Sequence, residues 1–551
     1  MASAKSVLGP VPPLPRIPAE ERTPLVNVLL AVLEQYQAID EQHRALIAEL
    51  EQRVHALEAE VRRLKNLPPR PNLKPSALDK DPDDDDPPPP SAGATASNPR
   101  KRRRPSKRHK RPPIHHTTVI EPEHVPPGSR FRGYREFFVQ DLLITPFNTR
   151  YRLARYETST GQFLVGKLPE SLHDGHFGPT LRSFILHQHH HQRVTQPLLL
   201  DQLLQWGIDI SAGQLSRILT EGHESFHQEK GQLLLSGLAA STYVHVDDTG
   251  ARHLGKNGYC THIGNEHFAF FESTASKSRI NFLELLRGPH TDYIINQTAA
   301  KYLQTQNFPH APRRRLRRGT THFDEETHWN HHLDALNITT ERHRRIATEA
   351  ALLGSLIEHG FPPELVILSD DAAQFNVLRH ALCWIHAERN IQALVPFNDI
   401  QAKQLAWVRH QLWDLYDELK TYKRHPNDES KREIDARFDE LCATKTTFQT
   451  LNQALKRLRH NKAELLLVLE RPDIPLHNNL SERDIRDYVI KRKISGSTRS
   501  DNGRRARDTF ASLKKTCHKL GIGFWDYLID RLTLNRHIPP LPDIVRSTSN
   551  A

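Results

Sequence analysis

Apolar residues recur every three or four positions near the N-terminus, which predicts a helix over residues 22–66. Its heptad seam is made of Ile47, Leu50, Val54, Leu57, Val61 and Leu64, with charged residues between them, as in EQRVHALEAEVRRLK. Such a seam is typical of a coiled coil. We therefore expect residues 1–66 to form an N-terminal region that joins copies of the chain into a homo-oligomer. A helix packed on its own chain is the alternative, which the following Pro-rich segment disfavours.

Residues 67–113 have the composition of a disordered linker. The stretches PPRPNLKP, DKDPDDDDPPPP and SAGATASNP offer little apolar surface to bury. The linker ends in RKRRRPSKRHKR, in which nine of twelve residues are Lys or Arg. Such a run is either a solvated tail or a contact to a phosphate backbone. We favour the contact, with Arg102, Arg103 and Arg104 at its centre.

Two smaller regions follow the linker. Residues 114–177 alternate apolar and polar positions, which predicts a small β-rich module. Residues 178–240 are predicted to be a helical DNA-binding region, because TQPLLLDQLLQWGIDISAGQLSRILTE has two amphipathic stretches around a glycine. A plain helical hairpin fits the same pattern. The run HQHHH at 187–191 is not expected to be a metal site, since consecutive histidines on a helix point in different directions.

The pattern changes to short apolar runs over residues 241–375. TYVHVDD, GYCTHIG and HFAFFES predict three strands, SKSRINFLELLRG predicts a helix, and ELVILSDD predicts a buried strand. Three strands followed by a helix are how a ribonuclease-H-like α/β core begins. A basic segment at about 288–345, with Arg313, Arg314 and Arg315, interrupts this core. We then predict a helical insertion over 376–475, C-terminal catalytic helices over 476–535 and a tail over 536–551.

Composition narrows the class of protein. The chain has 551 residues, enough for two to four domains. We find no apolar run of membrane-spanning length and no signal peptide, so we expect a cytoplasmic protein without a membrane partner. Its four cysteines form no CxxC pair, which argues against disulfides and zinc knuckles. The net charge of +11 is modest, but its clustering indicates nucleic-acid binding.

Two predicted strands each end in an acidic pair, Asp247-Asp248 and Asp370-Asp371. Buried carboxylates are costly unless they are paired or bind a cation, and Mg²⁺ prefers oxygen ligands. Glu482, in HNNLSERDIR, is the candidate third carboxylate. Each residue also has an alternative role. Asn479 and Glu482 would form a capping box, Asp370 would cap the next helix, and Asp248 would make an Asx turn.

Three motifs, in order, resemble the DDE transposases of the insertion sequence 66 family. VDDTGARHLGKNGYCTHIG resembles the first-aspartate strand, and LSDDAAQFN with ALCWIHAERNI resembles the second-aspartate strand and its Cys-Trp-x-His-x-x-Arg helix. HNNLSERDIRDYVIKRKISGSTRS resembles the Asn-Asn-x-x-Glu-Arg motif, and RARDTFASLKKTCHKLGIGFWDYL resembles the C-terminal tail. The resemblance covers roughly residues 115–535.

The resemblance implies a catalytic triad of Asp247, Asp370 and Glu482 that holds Mg²⁺, with Mn²⁺ as a substitute. It implies supporting or positioning roles for Asp248, Asp371, Cys383, His386 and Asn479. For Trp384, packing in the core is favoured over stacking on a base. The sequence departs from the family in having no cysteine over 114–170, so no zinc finger is predicted. It also departs in the long, basic segment between the first two aspartates.

The implied activity is metal-dependent phosphoryl transfer that cuts transposon ends and joins them to target DNA. The residues expected near DNA phosphates are Arg483, Arg486, Lys491, Arg492 and Lys493. Further expectations are small accessory proteins as partners and a bacterial cytoplasmic location, at the nucleoid when DNA is bound. Two alternatives stay open: a nuclease that cuts without joining, and an inactive DNA-binding protein derived from a transposase.

Overall fold

A computed structural model describes residues 113–172 and 175–548, with residues 23, 24, 26, 27, 29–33, 35 and 36 near the N-terminus. The chain divides into two units, Met1–Phe131 and Arg132–Ala551. In the first unit, the described residues between 24 and 36 are mostly helical, and residues 113–131 are exposed and without regular structure. The predicted heptad seam and the basic run that contains Arg102, Arg103 and Arg104 lie outside the described residues.

The second unit is a mixed α/β structure that is mostly helical. Its strands are β1 Arg155–Glu157, β2 Phe163–Val165, β3 Tyr243–Gly250, β4 Tyr259–Gly264, β5 Ala269–Thr274, β6 Tyr293–Ile294, β7 His322–Phe323, β8 Val366–Ser369 and β9 Arg379–Leu382. Five of them form the central sheet, in the order β5-β4-β3-β8-β9. The pairs β5–β4 and β4–β3 are antiparallel, whereas β3–β8 and β8–β9 are parallel.

Helices precede the sheet, interrupt it and follow it. They are α1 Pro179–Leu186, α2 Gln196–Gln205, α3 Ala212–Thr220, α4 Glu224–Ala239, α5 Arg279–Arg287, α6 Gln297–Thr305, α7 His310–Leu316, α8 Glu326–Ala335, α9 Glu341–Glu358, α10 Trp384–Gln392, α11 Asp399–Arg424, α12 Asp428–Ala443, α13 Gln449–His460, α14 Lys462–Leu465, α15 Asn479–Ser495, α16 Asp501–Lys519, α17 Phe524–Thr533 and α18 Leu541–Thr548. A π-helical turn, His187–His191, extends α1, and Glu170–Leu172 and Leu467–Leu469 are 3₁₀ turns.

The apolar residues separate into two large cores. The main core packs the sheet against α4, α5, α9 and α16, and it includes the fully buried Leu233, Leu283, Ala350 and Phe510. The second core lies entirely between Leu382 and Leu476 and joins α10, α11, α12 and α13. The long helical segment between β9 and α15 therefore has a hydrophobic core of its own.

The edge strand β5 is covered by helix α16. Backbone N–H groups of alternate β5 residues donate to side chains one helical turn apart: Ala269 to Thr516 Oγ1 at 3.1 Å, Phe271 to Ser512 Oγ at 2.9 Å and Ser273 to Asp508 Oδ2 at 2.9 Å. A helix that satisfies the free donors of an edge strand removes a template for pairing with another chain. This contact also fixes the C-terminal helices against the sheet.

Three segments that the sequence pattern predicted can be compared with the elements that the structure shows. In residues 114–177, the regular structure is limited to the β1–β2 hairpin and one 3₁₀ turn among the described residues, and Phe137, Leu143 and Phe147 are largely exposed. In the helical region that follows, α2 and α3 are joined through Gly207, whose φ of 76° is suited to glycine. The basic segment at 288–345 contains α6, α7 and α8 and a small antiparallel pair of strands, β6 and β7, with α6 and α7 between them.

Candidate active site

The two acidic pairs lie at the same end of two neighbouring strands. In the parallel pair β3–β8, His245 is in register with Leu368. Asp247 and Asp370 each stand two residues farther along, so both lie just past the carboxyl end of the β3–β8 pairing. The structure differs from the expected pattern at one point. Strand β3 continues through Asp247 and Asp248 to Gly250, because these residues pair with β4.

Helix α15 is anchored to β3 by Asn478, the residue directly before its first turn. Asn478 is fully buried, and its Nδ2 donates to the carbonyl oxygen of Val246 at 2.8 Å. Its Oδ1 accepts from His245 Nδ1 at 3.0 Å, and its backbone N–H donates to Cys383 Sγ at 3.2 Å. These bonds hold the start of α15 against Val246, the residue that precedes Asp247 in β3. The sequence analysis named Asn479 rather than Asn478. The Asn-Asn doublet indicated that either residue could hold the helix in place.

A second buried network holds the next turn of α15. The hydroxyl of Ser481 lies 2.6 Å from His262 Nδ1, and His262 Nε2 lies 3.2 Å from Asp484 Oδ2. Lys519 of α16 also bonds Asp484 at 2.7 Å. These contacts tie α15 to β4 and to α16 in the interior of the protein. Glu482 lies between Ser481 and Asp484, so its backbone position is fixed from both sides.

Glu482 does not form the capping box that its spacing suggested. Asn478 is the N-cap residue of α15, it makes no side-chain capping bond, and Asn479 is already the first helical residue. The Glu482 carboxylate faces α10 instead, where Oε1 lies 3.5 Å from His386 Nε2 and 3.4 Å from Arg389 Nη1. Its side chain is therefore directed away from the helix terminus, toward the other motif residues.

The three candidate carboxylates share one electrostatic environment. Burial, and after it the charges of Asp370, Asp248 and Glu482, raise the pKa of Asp247 to about 7, although the Asp248 N–H opposes this shift. Like charges raise a carboxyl pKa only when they lie close together. Asp370, directly after β8, and Glu482, on α15, are therefore near enough to Asp247 in β3 for their charges to act on it, and the three are called the carboxylate cluster below.

The second aspartate of each pair is neutralised by neighbours. Asp248 forms an ion pair with Lys277 and accepts from Gln374 Nε2 at 2.8 Å. Asp371 accepts from Arg457 Nε at 2.7 Å and from Asn461 Nδ2 at 3.2 Å. Asp248 is therefore part of a strand and does not make the Asx turn considered from sequence. These contacts fit the supporting roles expected of both residues.

The first aspartates lack such partners. Asp247 Oδ1 accepts from the Asp248 N–H at 2.7 Å, and Asp370 Oδ1 accepts from the Ala372 N–H at 3.2 Å. Over residues 113–172 and 175–548, neither carboxylate forms an ion pair with a basic side chain. Asp370 caps no helix, because strand β9 follows it before α10 begins. Both carboxylates thus keep lone pairs available for a ligand.

Cys383 and His386 act at two different places. The Cys383 thiol is buried, its pKa is raised by that burial, and it accepts from the start of α15. His386 contacts Glu482. Trp384 lies in the second core with Nε1 donating to Leu465 O at 2.8 Å, as the favoured interpretation expected. Where the structure is described, no group of three or more His, Cys, Asp or Glu side chains is arranged so that it could hold a metal ion, and this covers Asp247, Asp370 and Glu482 as well as the histidines at 187–191.

The basic residues of α15 differ in exposure. Arg483, Arg486 and Lys493 are exposed, and the half-buried Arg492 reaches Thr249 Oγ1 at 3.4 Å. Lys491 is buried, however, and donates to the carbonyl of His189 at 2.6 Å. Burial, and then the charge of Arg507, lower its pKa to about 7. The ammonium group of Lys491 is therefore turned into the protein rather than presented to DNA.

The remaining basic candidates lie farther along the chain. Arg314 and Arg315 are exposed on the short helix α7, and Arg313 is half-buried there. Beside Arg492, a cleft of about 510 Å³ is lined by Gly250, Arg252, Gly258 and Gly496. Within the described residues, no helix is long and apolar enough to cross a membrane.

Comparison with known proteins agrees with the motifs. Residues 333–506 match the transposase IS66 family, and this range contains Asp370, Cys383, His386 and Glu482. The uncharacterised protein y4jO of Sinorhizobium fredii is 44% identical over an alignment of 325 residues, which covers 57% of this chain and 99% of that protein. With the carboxylate cluster, the Cys-x-x-His helix and the Asn-Asn-x-x-Glu-Arg motif in one fold, the chain belongs to the IS66 family of transposases.

Proposed function

We propose that this chain is a DDE transposase that cuts and joins DNA at the ends of its mobile element. The observation that carries the proposal is that Asp247 and Asp370 each stand two residues beyond the in-register pair His245–Leu368 of the parallel strands β3 and β8, with the charges of Asp370 and Glu482 acting on Asp247. The strand order β5-β4-β3-β8-β9 supports a ribonuclease-H-like core for this enzyme. The separate core between Leu382 and Leu476 supports a helical insertion in that fold.

The cluster fits Mg²⁺ by the chemistry of its donors. It offers oxygen ligands, and the raised pKa of Asp247 reflects burial first and then repulsion by nearby carboxylates, both of which a bound cation would offset. Mg²⁺ commonly takes one or two carboxylates together with water and substrate phosphate oxygens, so three converging side chains are not required. Asp247, Asp370 and Glu482 would hold it. Bound Mg²⁺, or Mn²⁺ in its place, would activate the attacking oxygen and stabilise the leaving oxygen of a phosphodiester.

The surrounding residues keep these carboxylates in place. Asn478 fixes the start of α15 on β3, and His386 with Arg389 directs the Glu482 side chain. Lys277 and Arg457 neutralise Asp248 and Asp371, so the excess negative charge stays on the first aspartates. Such positioning before substrate arrives is what phosphoryl transfer demands of a protein.

The reaction has two steps at one site. Water attacks the phosphodiester at the end of the element, which breaks the P–O3′ bond and releases a 3′-OH. That 3′-OH then attacks a phosphodiester of target DNA and displaces a new 3′ oxygen. Exposed Arg483, Arg486 and Lys493, with Arg492 near Thr249, would contact the backbone on either side. The proposed partners are therefore DNA, further copies of the chain and small accessory proteins. The proposed location is the cytoplasm.

The neighbouring aspartates of one pair provide a matched test. Asp370→Asn should lower the cleavage rate of a duplex that carries the element's own end by about 10²–10³-fold with Mg²⁺. Asp371→Asn, which changes the same charge one residue away, should lower it by about tenfold or less. Equal losses in the two variants would contradict the assignment. Cleavage without joining by the unmodified protein would favour the nuclease alternative.

A further inference from the structure

A pocket of about 430 Å³ lies next to the carboxylate cluster, between helices α10 and α13. Two of its wall residues connect it with the proposed active site. Asp371 directly follows Asp370, and His386 contacts Glu482. The mechanism proposed above gives this pocket no role. Its volume lies within the range of about 300–1,000 Å³ that is typical of ligand pockets.

The lining of the pocket combines an apolar floor with neutral amides. Leu382, Ile391, Leu458 and Leu465 are buried and form apolar surface. The neutral polar side chains on the wall are Asn390, Thr450, Gln453 and Asn461, and the ionisable ones are Asp371, Cys383, His386 and Arg457. Amides carry a donor and an acceptor side by side, which matches the edge of a nucleobase.

Two further groups at the pocket suit an occupant with a polar edge. Arg457 stands on the wall of the pocket, where it pairs with Asp371. His386 Nδ1 is buried and has no hydrogen-bond partner among the described residues. A buried polar atom without a partner calls for an explanation, and a ligand in the pocket would supply one.

We propose that this pocket receives one nucleobase, drawn out of the helical stack, next to the phosphodiester held at Asp247, Asp370 and Glu482. The inference rests on the proposed function, because it takes DNA as the substrate of the neighbouring cluster. The carboxylates are half-buried, so a duplex must distort locally to bring a backbone phosphate to them. Distortion unstacks a base, and a pocket with apolar walls and amide groups shelters it.

The pocket offers a filling variant with a matched control. Ala454→Phe places a ring in the pocket, because Ala454 is on its wall. Ala402→Phe adds the same bulk at an exposed position of α11. Gln453→Ala removes one amide without adding bulk and guards against a folding defect in the filled variant.

The experiment uses the full chain and duplexes from the element's own end, with 2-aminopurine at successive positions around the cleavage site. Binding is measured by anisotropy and unstacking by fluorescence, both before Mg²⁺ is added. We expect a several-fold fluorescence rise at one position with the unmodified protein and Ala402→Phe. The rise should be lost with Ala454→Phe and reduced with Gln453→Ala. DNA that lacks the base at that position should be cut equally by the unmodified protein and Ala454→Phe.

The outcomes separate the two proposals. Bound DNA without a fluorescence rise at any position, or a rise that Ala454→Phe preserves, would overturn the pocket assignment and leave the transposase proposal standing. A rise that depends on the pocket, followed by no cleavage when Mg²⁺ is added, would keep the pocket and overturn the proposed reaction. Absence of DNA binding would overturn both.

Discussion

Asn478 shows how one buried side chain joins the parts of the site. It connects the strand that carries Asp247 with the helix that carries Glu482, and it also contacts Cys383. Its neighbour Asn479 is half-buried at the first helical position. The two asparagines are adjacent and identical in type, so their different surroundings predict different effects of the same substitution.

Asn478→Ala should lower the free energy of unfolding by about 2–3 kcal/mol, because it leaves the Val246 carbonyl and the His245 ring without partners in a buried site. Asn479→Ala should change it by about 0.5 kcal/mol or less. Urea unfolding of the two variants measures the difference. A loss that is equal in both would show that the Asn478 contacts do not hold α15 in place.

The raised pKa of Asp247 predicts that the stability of the metal-free protein depends on pH. Its folded-state pKa of about 7 lies above the ordinary carboxyl value of 3.8, so the folded chain binds the proton more tightly than the unfolded chain. The contribution of this group to stability is therefore full at low pH and declines as pH rises from about 4 to about 7. Asp247→Asn removes this decline, so the variant should exceed the unmodified protein by roughly 1–2 kcal/mol at pH 8.

Thermal unfolding across pH, with the unmodified protein and Asp247→Asn compared at each pH, tests this expectation. Because both proteins contain the other groups that titrate in this pH range, the comparison removes their contribution to stability. Lys491 is one such group, since burial lowers its pKa to about 7. Added Mg²⁺ should stabilise the unmodified protein and not the variant. A difference between the two proteins that does not change with pH would contradict a raised pKa at Asp247.

At the scale of elements, the covering of β5 by α16 determines how the C-terminal helices sit on the sheet. Alternate β5 residues donate to Thr516, Ser512 and Asp508, and these acceptors recur every four residues along α16. Two residues along a strand and four residues along a helix advance by similar distances, so the donors and acceptors stay aligned over this short contact. The helix thus replaces a neighbouring strand at this edge.

Ser512→Ala should leave the Phe271 N–H unpaired in a buried position and lower the free energy of unfolding by about 1–3 kcal/mol. Ser497→Ala, at an exposed position before α16, should have an effect within about 0.5 kcal/mol. Chemical denaturation gives both values. A Ser512→Ala variant as stable as Ser497→Ala would show that the edge is satisfied by other means.

Helix α15 shows why the direction of a basic side chain is hard to predict from sequence. Lys491 and Lys493 are two residues apart, yet one is buried against His189 and the other is exposed. The pattern of α15 is charged on nearly every side, so periodicity gave no preferred face. The packing of the segment around His189 decides which lysine faces inward, and this contact joins residues 302 positions apart.

These positions predict different salt dependences of DNA binding. Lys493→Met should lower the slope of log affinity against log salt by about 1, because an exposed phosphate contact is lost. Lys491→Met should leave the slope unchanged. Fluorescence anisotropy over a series of salt concentrations measures both slopes. A lower slope for Lys491→Met would place its ammonium group at the DNA.

For the whole molecule, local patterns predicted some features well and distant contacts determined the rest. The apolar runs YVHV and VILS, each followed by an acidic pair, identified the strands of Asp247 and Asp370 because a buried strand has a local signal. The Asn478 contact with Val246 joins residues 232 positions apart, so no window of sequence reveals it. The covering of β5 by α16 depends on contacts of similar separation.

The central claim is that Glu482 completes a metal-binding cluster for DNA cutting and joining. The most direct measurement compares the unmodified full chain with Glu482→Gln on a labelled duplex of the element's own end, with Mg²⁺ and target DNA. Glu433→Gln, at an exposed position of α12, makes the same chemical change away from the cluster. We predict that Glu482→Gln loses both cleaved and joined products while it binds DNA normally, and that Glu433→Gln keeps both. Equal product from all three proteins would contradict the claim.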